Sequence, residues 1–110
     1  MMDQYIETGG LRWGASFWGG MNATWPFAKL QATSDGIVIV LNVIGMMKEK
    51  FEFSRDELKS IRKKRGIFPF NTGVVFEHAE PSYPPFILFW TFRFATLKRN
   101  LTERGFTIEE

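Results

Sequence analysis

The chemistry open to this chain is bounded by one histidine and the absence of cysteine. His78 is that histidine, and a histidine acting as general base needs a partner within hydrogen-bond reach. If its strand is regular, Glu77 points to the opposite face, and Glu80 lies beyond it in a loop. His78 with Glu80 is thus the one acid–base pair to consider, and a lone histidine on a strand is ordinarily structural. Asp56-Glu57 are adjacent carboxylates in a polar turn. Acid–base work needs two carboxyl groups converging on one bond, whereas neighbours in a turn diverge into water. Asp35, in Ser34-Asp35-Gly36, serves turn geometry. One histidine without cysteine cannot assemble a zinc site, and no disulfide or thiolate is possible. Glycines at 9, 10, 14, 19 and 20 do not follow a strand and open a helix, as a phosphate cradle requires. The residues therefore predict no catalysis, no metal and no cofactor.

Binding chemistry is better represented. Lys59, Arg62, Lys63, Lys64 and Arg65 precede Gly66-Ile67-Phe68. The formal charge of +2 conceals this concentration. Residues 48–65 hold eight Lys/Arg against four Asp/Glu, a balance of +4, and the remainder holds six against eight, or −2. Such a segment attracts anionic lipid or phosphorylated ligands, with Phe68 and Phe70 as interfacial anchors. The alternative is an edge strand kept from aggregating by lysine, with the phenylalanines in the core. The weak overall charge argues against nucleic acid. At the other end, Trp13, Phe17, Trp18, Met21 and Trp25 form an aromatic cluster. Trp13, Trp18, Met21 and Trp25 are the candidates for a partner surface, and Met46-Met47 is expected to be partly exposed at a strand turn. Ser82-Tyr83-Pro84-Pro85 reads as a rigid connector.

These residues sit in a chain of 110 residues and 12.8 kDa, a length that predicts one domain. Aromatics make up 16%, with twelve Phe and four Trp, which suits a small barrel where few side chains fill much volume. The lack of cysteine fits a reducing cytosol. Met1–Gly10 carries Asp3 and Glu7 where a signal peptide would be apolar, and reads as a flexible N-terminal segment. No apolar run is long enough to span a bilayer as a helix. The expected location is cytoplasmic, with or without peripheral membrane contact.

The positioning elements are strands. Arg12–Trp18, Trp25–Thr33, Ile37–Ile44, Lys48–Phe53, Leu58–Arg65, Val74–His78 and Phe86–Phe92 show strand length and composition. Ser34-Asp35-Gly36 marks a hairpin, and Ser54-Arg55-Asp56-Glu57 a short helical turn. The broken alternation of Leu58–Arg65 predicts a bulge or bend. Phe94, Leu97 and Leu101 set the apolar face of a helix over Arg93–Arg104, with Gly105 as its left-handed cap. Phe27, Leu30, Ile37, Ile39, Leu41, Phe51, Phe53, Ile61, Val74, Phe76, Leu88, Trp90, Leu97 and Leu101 form the predicted core.

Seven strands followed by one helix resemble the pleckstrin-homology (PH)-like superfamily, including its GRAM-type and bacterial PH-like members. The likeness lies in Trp25-Pro26-Phe27-Ala28-Lys29-Leu30, the Ser34-Asp35-Gly36 hairpin and Phe53-Ser54-Arg55-Asp56-Glu57-Leu58. Gly73-Val74-Val75-Phe76-Glu77-His78 and Pro85-Phe86-Ile87-Leu88-Phe89-Trp90 complete it, over about residues 12 to 105. The resemblance implies a mainly β, partly open barrel of seven antiparallel strands in two sheets, capped by the C-terminal helix. It also implies a non-catalytic binding module for a protein partner or a second copy. Phosphoinositide-binding members carry Lys/Arg in and around the loop between the first two strands. Here Gly19-Gly20-Met21-Asn22-Ala23 has none, and Lys29 is the one partial match.

Overall fold

In a computed structural model, residues 4–16, 18–66 and 72–110 are described. The order is β1 (Tyr5–Gly14), β2 (Gly20–Thr33), β3 (Gly36–Val43), β4 (Met47–Ser54), a 3-10 turn (Arg55–Glu57), β5 (Leu58–Lys64), β6 (Gly73–His78), β7 (Phe86–Trp90), α1 (Phe94–Glu103) and β8 (Ile108–Glu109). The fold is mainly β with one C-terminal helix, as expected. The strands form one eight-stranded sheet in the order β4-β3-β2-β1-β7-β6-β5-β8, curled into an open half-barrel, and not seven strands in two sheets. The eighth strand, β8, escaped the sequence reading because Ile108 and Glu109 are too few to show a period. It pairs in parallel with Ile61 and Arg62 of β5.

The second correction concerns the amino terminus. Residues 5–10, expected to be flexible, belong to β1, which lies mid-sheet between β2 and β7. Gly9-Gly10 weakens any strand signal, but these glycines are what the packing requires. A Cβ at Gly9 would lie 2.1 Å from the Trp90 carbonyl oxygen, and one at Gly10 would lie 2.2 Å from the Trp90 indole. Glycine inside a strand marks such close approach.

The core lies on the concave face, where period-two alternation places one side of each strand. Every predicted core residue but one is buried. The exception is Phe27, which is 36% exposed. Ala28, Leu30 and Ala32 face inward on β2, so Phe27 is one residue out of phase with them. The core also contains Tyr5, Leu11, Trp13, Ile87, Phe89, Phe106 and Ile108. Phe53 of β4 stacks on Phe76 of β6 with centroids 6.0 Å apart, which shows how far the sheet curls.

Leu97 and Leu101 bury the inner face of α1. Its end is a Schellman arrangement: the Gly105 amide donates to the Thr102 carbonyl at 3.0 Å and the Phe106 amide to the Leu101 carbonyl at 3.0 Å. Gly105 takes φ +91°, a conformation that favours glycine. The Arg55 guanidinium donates to the Ser34, Arg104 and Gly105 carbonyls at 2.9, 3.1 and 2.8 Å and lies over the Phe106 ring. One cation thereby joins the β2–β3 hairpin, the 3-10 turn and the helix end. The bulge expected in β5 falls between Leu58 and Ser60, and Ser54 precedes the 3-10 turn with its amide donating to Glu57 Oε1 at 2.9 Å.

Candidate functional site

The sequence candidates separate once folded. His78 uses both ring nitrogens on backbone. Nε2 lies 2.9 Å from the Pro84 carbonyl, which can only accept, and Nδ1 accepts from the Glu80 amide at 3.0 Å. The ring therefore carries its proton on Nε2, and it packs against Phe53 and Tyr83. The Glu80 carboxylate takes the Ser82 hydroxyl and amide, bonds that hold its pKa below the usual carboxylate range. Asp56 and Glu57 fall in the 3-10 turn, with Glu57 bonded back to Ser54. Among the described residues no group of three metal-ligating side chains converges.

The basic segment is divided by the pleat of β5. Ile61 points into the core, so Lys63 shares its side while Arg62 and Lys64 face outward, and Lys59 is the extra residue of the bulge between Leu58 and Ser60. Arg62 pairs with Glu77 at 2.5 Å, and Lys63 pairs with Glu110 at 3.6 Å and lies over the Phe94 ring. Lys59 and Arg65 are exposed. Nor is β5 a bare sheet edge, since β8 covers part of it. Phe68, Phe70 and Phe17 lie outside the described residues.

The aromatic candidates divide differently. Trp13 is buried at 6%, which removes it from any partner surface. It sits in phase with Leu11 on the core side of β1, opposite Met21 of β2 and Ile87 of β7. Trp18, Met21 and Trp25 are exposed at 82%, 50% and 45%. Met46 is exposed at the β3–β4 turn, whereas Met47 packs against the core.

Trp25 belongs to a cleft beside the amino end of the helix. The cleft, of about 310 Å³, is lined by Ile6, Glu7, Thr8, Trp25, Thr91, Phe92 and Arg93. It forms where the start of β1 meets residues 91–93, the link between β7 and α1. Its walls are apolar and open to solvent, with Ile6 49% and Phe92 61% exposed. Trp25 and Phe92 meet edge to face at 5.7 Å, and Phe92 meets Trp90 at 5.8 Å. The rings are thus held by one another before any ligand arrives.

The polar groups of the cleft serve one another. The Glu7 carboxylate is buried and accepts from the Tyr5 hydroxyl, from Thr91 Oγ1 at 2.7 Å, and from Arg93 Nη2 and Nε at 3.0 and 3.3 Å. Burial opposes its ionisation. The bonds from Arg93, Tyr5 and Thr91, with the Arg93 charge, outweigh burial and hold its pKa below the ordinary value. Burial and the bond to Glu7 push the Tyr5 phenol up. The Glu7 bond likewise raises the pKa of Arg93. With both carboxylate oxygens taken, Glu7 is not a free base. It ties the first strand to the start of the helix, 86 residues on. Arg93 commits Nε and Nη2 to Glu7, and no described residue is bonded to its Nη1.

Sequence reasoning missed Ile6, Glu7, Phe92 and Arg93. Glu7 and Ile6 lay in the stretch read as flexible. The adjacency of exposed Phe92 to Arg93 at the end of an apolar run was the available signal. Compared with protein-family models and with curated proteins, the sequence matches none.

Proposed function

We propose that the chain is a non-catalytic interaction module of PH-like type that docks a protein partner at the Trp25–Phe92 cleft. The observation that carries this reading is the pairing of open apolar walls with a polar floor whose hydrogen bonds are already made. A reactive site needs a base or nucleophile with capacity to spare. A docking site needs preformed apolar anchors that a partner can cover. The cleft offers the second and not the first. The curled sheet closed by one C-terminal helix supports the PH-like reading, with β8 as an addition to its seven strands. Binding of anionic ligands at residues 59–65 has less support, since Arg62 and Lys63 already face carboxylates.

The test is site-specific photo-crosslinking in the native cell. A photoreactive aromatic residue at position 25 is expected to give a discrete protein adduct, either a partner or a second copy. The same group at exposed position 103 on α1 serves as the control. Absence of an adduct at 25, or equal labelling at both positions, would overturn the proposal.

A further inference from the structure

Resting on this docking reading, we infer that the partner contributes an acidic as well as apolar segment, which runs from the cleft across the outer face of strands β1 to β4. The registers define that face. Glu7, Leu30, Ile39 and Phe51 are mutually opposed and buried, so their neighbours form rows on the convex side. One row is Thr8, Lys29, Val40 and Lys50; the next is Ile6, Gln31, Val38 and Glu52. Both begin at the cleft, because Ile6 and Thr8 line it. Lys48, opposite Asn42, adds a third lysine.

The charges along this track are unequal. Lys29, Lys48 and Lys50 are exposed, and Glu52 is the one acid in these rows. Glu52 pairs with Lys50 at 3.4 Å, both well exposed, and such a surface pair is worth little and exchanges readily. Lys29 spends its ammonium on the Thr8 hydroxyl at 3.2 Å, which holds it at the mouth of the cleft. Strands lie about 4.8 Å apart, so Lys29 and Lys50, two strands distant, are roughly 10 Å from one another. Arg93 also lines the cleft, with its side chain 60% exposed. A segment with an apolar side chain laid against Trp25 and Phe92 and carboxylates on either side meets Lys29 in one direction and Arg93 in the other.

An anionic bilayer combines the same two chemistries. The geometry favours a peptide. Ile6, Trp25 and Phe92 line a cleft of about 310 Å³ with Glu7 and Thr91 buried beneath it, a volume that a protruding side chain fills and a flat bilayer does not.

The experiment uses the full chain and three fluorescein-labelled twelve-residue peptides with one common Leu-Trp-Leu centre, flanked by Asp/Glu, by Ser or by Lys. Anisotropy titrations are expected to rank acidic over serine over lysine, with the acidic peptide bound at least about tenfold more tightly than the lysine one and the gap narrowing in salt. The Lys29→Glu, Lys50→Glu double variant should invert the ranking. Trp25→Ala should weaken all three. Circular dichroism confirms that the variants are folded. Equal affinities across the peptides would overturn the acidic partner while leaving the docking reading in place. Binding unaffected by Trp25→Ala would remove the segment from the cleft. Failure to bind any peptide, with or without uptake on phosphatidylserine vesicles, would also overturn the inference.

Discussion

At the residue scale, a side chain's role was set by the phase of its strand and by its hydrogen-bond partners. Trp13 and Trp25 are both tryptophans near the amino end, yet one is core and the other a cleft wall. Phe27 and Leu30 are three apart, an odd number, and so cannot share a strand face. His78 was read as structural because a lone histidine on a strand ordinarily is, with Glu80 the one partner weighed; in the fold its ring nitrogens meet the Pro84 carbonyl and the Glu80 amide. Glu7 was not legible, since its partners Thr91 and Arg93 come from the other end of the chain. The cluster predicts stability lost at both extremes of pH. Glu7 has a depressed folded pKa, so its contribution is complete above the unfolded value of about 4.3 and fades as pH falls through the folded value. Tyr5 has a raised folded pKa, so its contribution is complete below about 10 and fades as pH rises above that. Urea denaturation across pH should show Glu7→Gln flattening the acid limb and Tyr5→Phe the alkaline limb. Limbs identical to the parent's would refute these assignments.

At the element scale, strands with clear alternation or β-branched runs were read well, and those shaped by close packing were not. β3 and β4 are examples of the first kind. In β1, by contrast, Gly9-Gly10 has no periodicity, and only the bulk of Phe89 and Trp90 explains it. The helix was legible to within a residue at either end, because Phe94, Leu97, Leu101 and Gly105 carry period and stop signal together. Gly105 therefore admits a direct test. Gly105→Ala places a Cβ at φ +91°, 3.1 Å from the Arg55 guanidinium, and should cost about 1–2 kcal/mol in denaturant melts. A neutral substitution would mean that the cap contributes nothing. The outer strand β4 shows how a sheet edge is managed. Its Glu52 amide donates to the Tyr83 hydroxyl at 3.1 Å and its Ser54 amide to Glu57, while exposed Lys48 and Lys50 guard the rest.

At the scale of the whole molecule, the curl of the sheet and one helix enclose a single described core cluster. Its centre includes Leu97, fully buried under the sheet. Leu97→Ala should destabilise by about 2–5 kcal/mol, a cost that combines lost transfer energy and the cavity left behind. A loss below 1 kcal/mol in equilibrium unfolding would show that the helix is not part of the cooperative unit. Beyond the helix, Phe106 and Ile108 re-enter the core and Glu110 returns to Lys63 and Lys98.

The sequence by itself determined a mainly β chain with a C-terminal helix, and every residue it placed in the core except Phe27 is buried. Those properties depend on composition and on local periods of two and 3.6, which need no knowledge of distant contacts. Only the tertiary structure decided that the strands join in one curled sheet and that the first of them lies mid-sheet. It alone brought Ile6, Glu7 and Trp25 beside Phe92 and Arg93, and divided the basic run between two faces. Each of these outcomes is a pairing between residues far apart in the chain, and strand order and register carry no mark in any one segment.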